Sequence, residues 1–223
     1  MKFMKYSMKY SLLLCLLLPT AAHARAVLMV FGDSLSAGYG LASHQAWPDL
    51  LQQRLANDRD IGQRWTVVNA SVSGETTAGG LARLPAALNA YHPALVVLEL
   101  GANDGLRGLP LSAMRENLLA MIRDIKKSGA KILLVGVHLP SNYGMPYTER
   151  FRQVYIAVAQ QNDLPLVPSL LAGIETEPGL FQADGLHPVA AAETRIVDTV
   201  WPALLPMLSA RRVSMKPEPA SSE

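Results

Sequence analysis

The sequence predicts a three-layer α/β fold built around a parallel β-sheet. Short runs rich in Val, Leu and Ile recur along the chain, and segments with helical spacing of apolar residues lie between them. The short runs are near-continuous in apolar character rather than alternating, which is typical of parallel strands buried on both faces. Strands that alternate with helices in this way predict a parallel sheet covered by helices.

Five runs are predicted to be the strands of this sheet. They are Ala26 to Phe31, Trp65 to Asn69, Leu95 to Leu100, Lys131 to Val137 and the weaker Leu164 to Pro168. Because each run is short and rich in β-branched or aliphatic residues, we expect buried strands rather than helices.

Apolar residues spaced three or four apart predict the intervening helices. The clearest segments are Trp47 to Leu55, Leu111 to Ile125, Phe151 to Val158 and Ile196 to Leu208. Gly129 is a predicted C-terminal cap and Thr148 a predicted N-cap. Pro85 and Pro202 fall within helical patterns, where we expect a new turn or a kink.

Residues 1–24 have the layout of a secretory signal peptide. Three lysines precede the apolar run Leu12 to Leu18, and the small residues of Ala22-His23-Ala24 follow it. The alternative, a membrane anchor, is disfavoured because a spanning helix needs roughly 20 apolar residues. We therefore expect cleavage after Ala24 and export, to the periplasm or as a secreted protein.

The rest of the chain is predicted to be one domain, residues 25–209, followed by a disordered tail, residues 210–223. The predicted leader holds three of the 20 Lys and Arg residues and none of the 18 Asp and Glu residues, so the remainder has a net charge of −1. That charge argues against a nucleic-acid partner. Cys15 is the only cysteine, so the exported domain would have neither a disulfide nor a thiol.

Three successive predicted strands end in turns rich in Gly, Ser, Asp and Asn. These turns are Gly32-Asp33-Ser34, Ser71-Val72-Ser73-Gly74 and Gly101-Ala102-Asn103-Asp104-Gly105. Ligands of open parallel sheets bind beyond the carboxyl ends of the strands, so the three turns should meet at one edge. Ser34 is the candidate nucleophile there, and its hydroxyl needs a base to take its proton.

The same turns contain candidate donors for an oxyanion. The backbone N–H groups of Ser34 and Gly74 and the side-chain amide of Asn103 could supply three hydrogen bonds. Taken alone, Gly74 is as well explained by a tight turn, and Asn103 by a loop residue that caps its own backbone. Asp33 and Asp104 are expected to fix their own turns rather than to act on substrate.

The segment Asp184-Gly185-Leu186-His187-Pro188 contains the candidate base. A turn would place the Asp184 carboxylate beside the His187 imidazole, where it can hold one tautomer and stabilise the imidazolium. Pro188 is predicted to begin the final helix. Of the other histidines, His44 and His92 are expected on the surface, whereas His138 follows the fourth strand and could either contact substrate or be structural.

These blocks, namely Gly-Asp-Ser-Leu-Ser at 32–36, Gly74, Gly-x-Asn-Asp at 101–104 and Asp-x-x-His at 184–187, resemble the four blocks of the SGNH (GDSL) hydrolase family. The resemblance spans essentially the whole domain, from Val27 to about Leu208. It implies a flavodoxin-like order of five parallel strands, a triad of Ser34, Asp184 and His187, and an oxyanion hole at Ser34, Gly74 and Asn103. It also implies that the reaction uses no metal.

In the family, the loop corresponding to Gly105 to Pro110 is a mobile flap over the acyl chain. The resemblance therefore makes Gly105, Leu106 and Leu109 candidate substrate contacts, together with His138 and Leu139 after the fourth strand. Ala102, Glu75 and His138 depart from residues that relatives often have, which affects the expected chain-length and leaving-group preference rather than the reaction.

The sequence thus favours a serine esterase or thioesterase that works through an acyl-enzyme and needs no cofactor. Its expected partners are small acyl esters or thioesters, with lysophospholipids, acylglycerols and aryl esters as candidates, and nothing demands more than a monomer without a membrane anchor. A carbohydrate O-deacetylase with the same triad is the alternative within this class. A metal-dependent phosphoesterase ranks lower, because its site would need more clustered carboxylates and histidines than these turns offer. A non-catalytic flavodoxin-like binding module also ranks lower, because the Asp184-x-x-His187 pair would then have no role.

Overall fold

The computed structural model describes residues 25–209, and the predicted signal peptide and C-terminal tail lie outside the described residues. Five strands form one parallel sheet: β1 (Ala26–Gly32), β2 (Trp65–Asn69), β3 (Leu95–Glu99), β4 (Lys131–Val135) and β5 (Leu166–Val167). The spatial order is β2-β1-β3-β4-β5, with every pair parallel. The predicted flavodoxin-like order is confirmed.

Seven helices accompany the strands. They are α1 (Ser34–Ala37), α2 (Trp47–Asn57), α3 (Thr77–Tyr91), α4 (Ala102–Leu106), α5 (Leu111–Lys127), α6 (Met145–Asn162) and α7 (Glu193–Ser209). Among them, α3, α5 and α6 pack side by side, and α2 packs against α7. Helices cover both faces of the sheet, which is why β1 and β3 contain almost uninterrupted apolar residues.

Packing against these helices buries the central strands completely. Leu28 to Phe31 of β1 and Leu95 to Leu98 of β3 have no exposed surface. On α5, the buried side chains lie on a single stripe, namely Met114, Leu118, Met121, Ile122 and Ile125. Because all strands are parallel, their carboxyl ends share one edge, and the three turns singled out from the sequence lie along it.

Several predicted boundaries differ from the observed ones. The fourth and fifth strands end earlier than predicted, and α6 begins at Met145, so Thr148 lies inside the helix rather than at its N-cap. Pro85 and Pro202 lie within the continuous helices α3 and α7. Gly129 follows α5 with a φ of +83°, as a C-terminal capping glycine should.

Candidate active site

Ser34 lies at the sharp turn that joins β1 to α1. Asp33 is the N-cap of α1, and its Oδ1 accepts the Leu35 N–H at 3.0 Å. Gly32, directly before the turn, has no room for a side chain, since a Cβ there would lie 2.5 Å from Oε2 of Glu99 and 2.9 Å from Oγ of Ser36. Close packing beneath the turn therefore holds the Ser34 hydroxyl at the carboxyl end of β1.

The structure brings His187 and Asp184 together with Ser34. Nε2 of His187 lies 2.8 Å from Oγ of Ser34, and its Nδ1 lies 2.7 Å from Oδ2 of Asp184. The other carboxylate oxygen, Oδ1, accepts the N–H groups of Leu186 and His187 at 2.9 and 3.0 Å. The three side chains thus form one chain of hydrogen bonds that ends on the serine hydroxyl.

Asp184 is an ionised carboxylate. Burial alone would raise its pKa, but the hydrogen bonds from the His187 ring and from the N–H groups of His187 and Leu186 outweigh burial and lower the pKa to about 2. An ionised carboxylate at Nδ1 keeps the proton on that nitrogen, so Nε2 can accept the proton of Ser34.

A short antiparallel loop presents Asp184 and His187. The N–H of Gln182 donates to the carbonyl of His187 at 2.7 Å, and Phe181 pairs with Pro188 across the loop. Gly185 turns the chain with a φ of +67°. Pro188 therefore does not begin the final helix as predicted, because it is held in this pairing and α7 starts only at Glu193.

Tyr39 packs against the imidazole of His187, a contact that the sequence did not reveal. The ring centroids of Tyr39 and His187 are 4.5 Å apart. The side-chain amide of Gln182 donates to the carbonyls of Tyr39 and Pro188 at 2.7 and 2.9 Å. Gln182 therefore ties the segment after α1 to the loop that contains His187.

The three expected oxyanion donors lie in the turns after β1, β2 and β3. The backbone N–H groups of Ser34 and Gly74 donate to no backbone acceptor within residues 25–209. The side-chain amide of Asn103 already has two partners, since its Nδ2 donates to Oδ2 of Asp33 at 3.3 Å and to the carbonyl of Glu75 at 3.0 Å. An oxyanion at this amide would compete with Oδ2 of Asp33, which makes the longer of the two contacts.

Arg107 contacts two of the three expected oxyanion residues, Gly74 and Asn103. Its Nη2 donates to the carbonyl of Gly74 at 3.0 Å and to Oδ1 of Asn103 at 3.3 Å. Arg107 therefore links the turn after β2 to the turn after β3. No motif at the sequence level singled out this arginine, because its partner at Gly74 is distant in the chain.

Two buried carboxyl groups, those of Asp33 and Glu99, lie at the turn that contains Ser34. Burial and the nearby Asp33 carboxylate raise the pKa of Glu99 well above its usual range, against hydrogen bonds from Ser36 and the Asp33 N–H. Burial likewise raises the pKa of Asp33 to about 6, although the Leu35 N–H and the Asn103 amide oppose the shift. The hydroxyl of Ser36 donates to Glu99 at 2.7 Å and accepts from the Trp47 indole at 3.2 Å.

Asp104 does not fix its own turn. It accepts the N–H of Thr77 at 2.8 Å and the hydroxyl of Thr77 at 2.5 Å, at the first turn of α3. Asp33 does fix its own turn, through Leu35, and in addition binds Asn103. The two aspartates beside the candidate catalytic residues are therefore cross-links between turns.

A groove of about 620 Å³ opens beside Ser34, Asn103 and His187. Most of its lining side chains are apolar, among them Leu35, Leu106, Val137, Leu139, Leu171 and Phe181.

Of the candidate substrate contacts, Leu106, His138 and Leu139 line this groove, whereas Gly105 and Leu109 do not. A Cβ at Gly105 would lie 2.6 Å from Phe151 and 2.8 Å from Leu139, so this glycine serves close packing. Leu109 is 38% exposed on the surface.

The segment Gly105 to Pro110, which was expected to be a flap, is bound to residues at the start of α6 and just before it. The hydroxyl of Tyr147 donates to the Gly105 carbonyl at 3.0 Å, and that of Tyr143 donates to the Leu106 carbonyl at 2.9 Å. Within residues 25–209, no three His, Cys, Asp or Glu side chains cluster as metal ligands. In the same part of the chain, no helix is long and apolar enough to span a membrane.

The fold and the Ser-His-Asp arrangement define a serine hydrolase of the α/β type. The model of the GDSL-like lipase/acylhydrolase family matches residues 30–195. Esterase TesA of Pseudomonas aeruginosa is 51% identical over 195 residues, covering 87% of this chain and 96% of the relative. Thioesterase 1/protease 1/lysophospholipase L1 of Escherichia coli K12 is 39% identical over 197 residues, covering 88% of this chain and 92% of the relative.

Solved structures agree with these relatives. The crystal structure of TesA has a TM-score of 0.77 and 52% identity, covering 81% of this chain and 99% of that one. The psychrotrophic esterase EstA from Pseudoalteromonas, solved with monoethylphosphonate as inhibitor, also has a TM-score of 0.77, at 34% identity, covering 82% and 99%. The chain belongs to the GDSL-like (SGNH) hydrolase family, and it is a carboxylic ester hydrolase of that family.

Proposed function

We propose that Ser34 is the nucleophile of this esterase, that His187 is its general base and acid, and that Asp184 orients the imidazole. The observation that supports these roles best is the continuous hydrogen-bond chain, 2.8 Å from Ser34 to His187 and 2.7 Å from His187 to Asp184. Both distances are within the reach that proton transfer requires.

In the proposed reaction, Nε2 of His187 takes the Ser34 proton while Oγ attacks the carbonyl carbon of the ester. The tetrahedral intermediate collapses when His187 gives that proton to the leaving alcohol or thiol, which leaves an acyl-enzyme. His187 then deprotonates a water molecule that attacks the acyl carbonyl, and Ser34 leaves with the proton. The carboxylic acid is released and the enzyme is restored.

The oxyanion is proposed to bind the N–H groups of Ser34 and Gly74 and the amide of Asn103. Gly74 has a φ of +79°, a conformation that a glycine adopts without strain. As negative charge grows on the substrate oxygen, the Asn103 amide exchanges its 3.3 Å contact with Asp33 for the stronger bond to the oxyanion.

The apolar groove favours an acyl chain as the group that it binds. A volume of about 620 Å³ with mostly apolar walls exceeds what an acetyl group needs, so fatty acyl esters and thioesters are favoured over acetylated carbohydrates. An arylesterase of Vibrio mimicus is 43% identical over 190 residues, covering 85% of this chain and 94% of the relative. Its name and that of thioesterase 1/protease 1/lysophospholipase L1 point to aryl esters, acyl thioesters and lysophospholipids as substrates to test.

Hydrolysis of p-nitrophenyl esters of increasing acyl length, with EDTA present, tests this function. Ser34→Ala is expected to abolish the activity, whereas Ser112→Ala, an exposed serine on α5, is the matched control and should leave it unchanged. We expect the rate to rise from acetyl to longer chains. Activity retained by Ser34→Ala, or lost with EDTA, would favour a metal-dependent mechanism, and a maximum at acetyl would favour the deacetylase.

We also propose that residues 1–24 direct export, and that the enzyme works outside the cytosol as a monomer without a membrane anchor. The support is the lysine-rich start, the apolar run and the Ala22-His23-Ala24 site. N-terminal sequencing of the protein from a periplasmic extract should begin at Arg25, and light scattering should give the mass of one chain. Retention in the cytosol with an intact N-terminus would contradict export.

A further inference from the structure

A second histidine–carboxylate pair lies in the wall of the groove, apart from the proposed triad. Nδ1 of His138 lies 3.1 Å from Oε2 of Glu175 and 3.0 Å from Oε1. The buried Ser169 donates its hydroxyl to Oε1 of the same carboxylate at 2.5 Å. His138 and Glu175 both line the groove that contains Ser34, and apart from His187 they are the ionisable side chains among its lining residues.

The pair lies toward the side of the groove away from the nucleophile. Ser34 follows β1, whereas His138 follows β4 and Glu175 follows β5, and β3 separates β1 from β4 in the sheet. Neighbouring strands are about 4.8 Å apart, so the ends of β4 and β5 lie roughly 10 and 14 Å from the end of β1, measured across the sheet. An acyl chain with its carbonyl at Ser34 reaches the pair only several carbons beyond the ester.

The arrangement leaves one polar atom of the pair for a ligand. Both carboxylate oxygens of Glu175 already face donors, and Nδ1 of His138 is directed at that carboxylate. Nδ1 is therefore the protonated nitrogen, and Nε2 makes no hydrogen bond to residues 25–209. A hydroxyl can donate to Nε2 of the neutral ring and accept from Nε2 of the charged ring, whereas a carboxylate ligand would meet the charge of Glu175.

We propose that His138 and Glu175 form a polar subsite for a hydroxyl group on the acyl chain, several carbons from the ester carbonyl. The proposal rests on the proposed function, because it places the carbonyl at Ser34. Where the groove wall is apolar, a hydroxyl would lose its hydrogen bonds to water without replacement. His138 supplies the replacement, and Glu175 positions the ring that does so.

The test compares kcat/KM for p-nitrophenyl esters of unsubstituted acids and of acids with a terminal hydroxyl, at each chain length. In the wild type, the ratio of hydroxylated to plain ester should peak at the lengths that reach the pair. His138→Leu should lower the peak ratio roughly fivefold, the value of one partly exposed hydrogen bond. Glu175→Gln should lower it less. Asp49→Asn, which removes the carboxylate beside His44 outside the groove, should leave the ratio unchanged.

A ratio that is the same in wild type and His138→Leu would overturn the subsite while leaving the Ser34 mechanism intact. Equal losses for both esters would also overturn it, since the pair would then be structural only. Failure of the proposed function has a different result, because Ser34→Ala would then still hydrolyse the plain esters.

Discussion

Arg107 illustrates how a residue outside the proposed triad can hold the proposed oxyanion donors in place. One terminal nitrogen of its guanidinium binds the Gly74 carbonyl and the Asn103 side-chain oxygen together. Those two groups belong to turns from different strands, so Arg107 fixes the distance between two of the three proposed oxyanion donors. It does so from the surface, without contacting the reacting atoms.

Replacement of Arg107 should therefore lower the rate more than the affinity. We expect Arg107→Ala to reduce kcat about 10- to 100-fold, because misplaced oxyanion donors lose most of their effect in the transition state, with KM and Tm nearly unchanged. Steady-state kinetics on one p-nitrophenyl ester, with thermal unfolding alongside, measure this. Arg123→Ala, which removes an exposed arginine from α5, is the control. A rise in KM at constant kcat would assign Arg107 to substrate binding instead.

At the scale of elements, α4 is held by close packing against α6 and the segment after β4. Gly105 allows this contact, because a side chain there would overlap Phe151 and Leu139. The hydroxyls of Tyr143 and Tyr147 add hydrogen bonds to the carbonyls of the last two residues of α4, Leu106 and Gly105. The short helix that follows the Asn103 turn is thus fixed from two sides.

Two glycine substitutions separate packing from backbone effects. Gly105→Ala should reduce the free energy of unfolding by about 1 to 3 kcal/mol through overpacking. Gly179→Ala, where a Cβ has open space and no positive φ, should be neutral or slightly stabilising. Urea unfolding of both variants gives the two values. A Gly105→Ala protein as stable as Gly179→Ala would show that α4 can move away, as a flap would.

The strands and helices could be predicted from local sequence pattern, because burial on both faces leaves a near-continuous apolar run for each strand. The residues at which these elements begin and end could not be predicted in this way, because hydrogen-bonding partners from distant segments decide them. Pro188 looked like a helix start but pairs with Phe181, and Thr148 looked like an N-cap but lies within α6. In both cases, a tertiary contact or an earlier helix start overrode a local preference.

The residues of the candidate site likewise fall into those that the sequence predicted and those that it did not. Ser34, Asp184 and His187 stood out because their chemistry is recognisable from residue type and spacing. Tyr39 and Glu175 did not, because each acts through a residue far away in the chain, and only the fold brings them together.

At the scale of the whole molecule, a buried carboxyl group joins the two helices on one side of the sheet. Glu193, the first residue of α7, is buried and accepts the N–H of Trp47 at the start of α2, at 2.6 Å. Burial raises its pKa from 4.5 to about 7, although the Trp47 N–H opposes the shift. The folded state therefore binds this proton more tightly than the unfolded chain does.

The stabilising contribution of Glu193 should consequently fall as pH rises from about 4.5 to about 7. In this range the carboxyl group is ionised in the unfolded chain, so folding requires it to take up a proton. Glu193→Gln keeps an acceptor for Trp47 and removes the titration. From pH 4.5 to pH 8, the unfolding free energy of the variant should gain about 3 kcal/mol relative to wild type. Urea unfolding at both values measures the gain. Glu116→Gln, an exposed control on α5, should show none, and a constant difference between Glu193→Gln and wild type would contradict the raised pKa.

Covalent capture of the nucleophile tests the central claim most directly. The enzyme is treated with diethyl p-nitrophenyl phosphate, and its peptides are analysed by mass spectrometry as activity declines. The account predicts one diethylphosphoryl group per chain, on Ser34, in proportion to the activity lost, and none on Ser34→Ala. Inactivation with Ser34 unmodified, or with the adduct on another residue such as Ser36, would contradict Ser34 as the nucleophile.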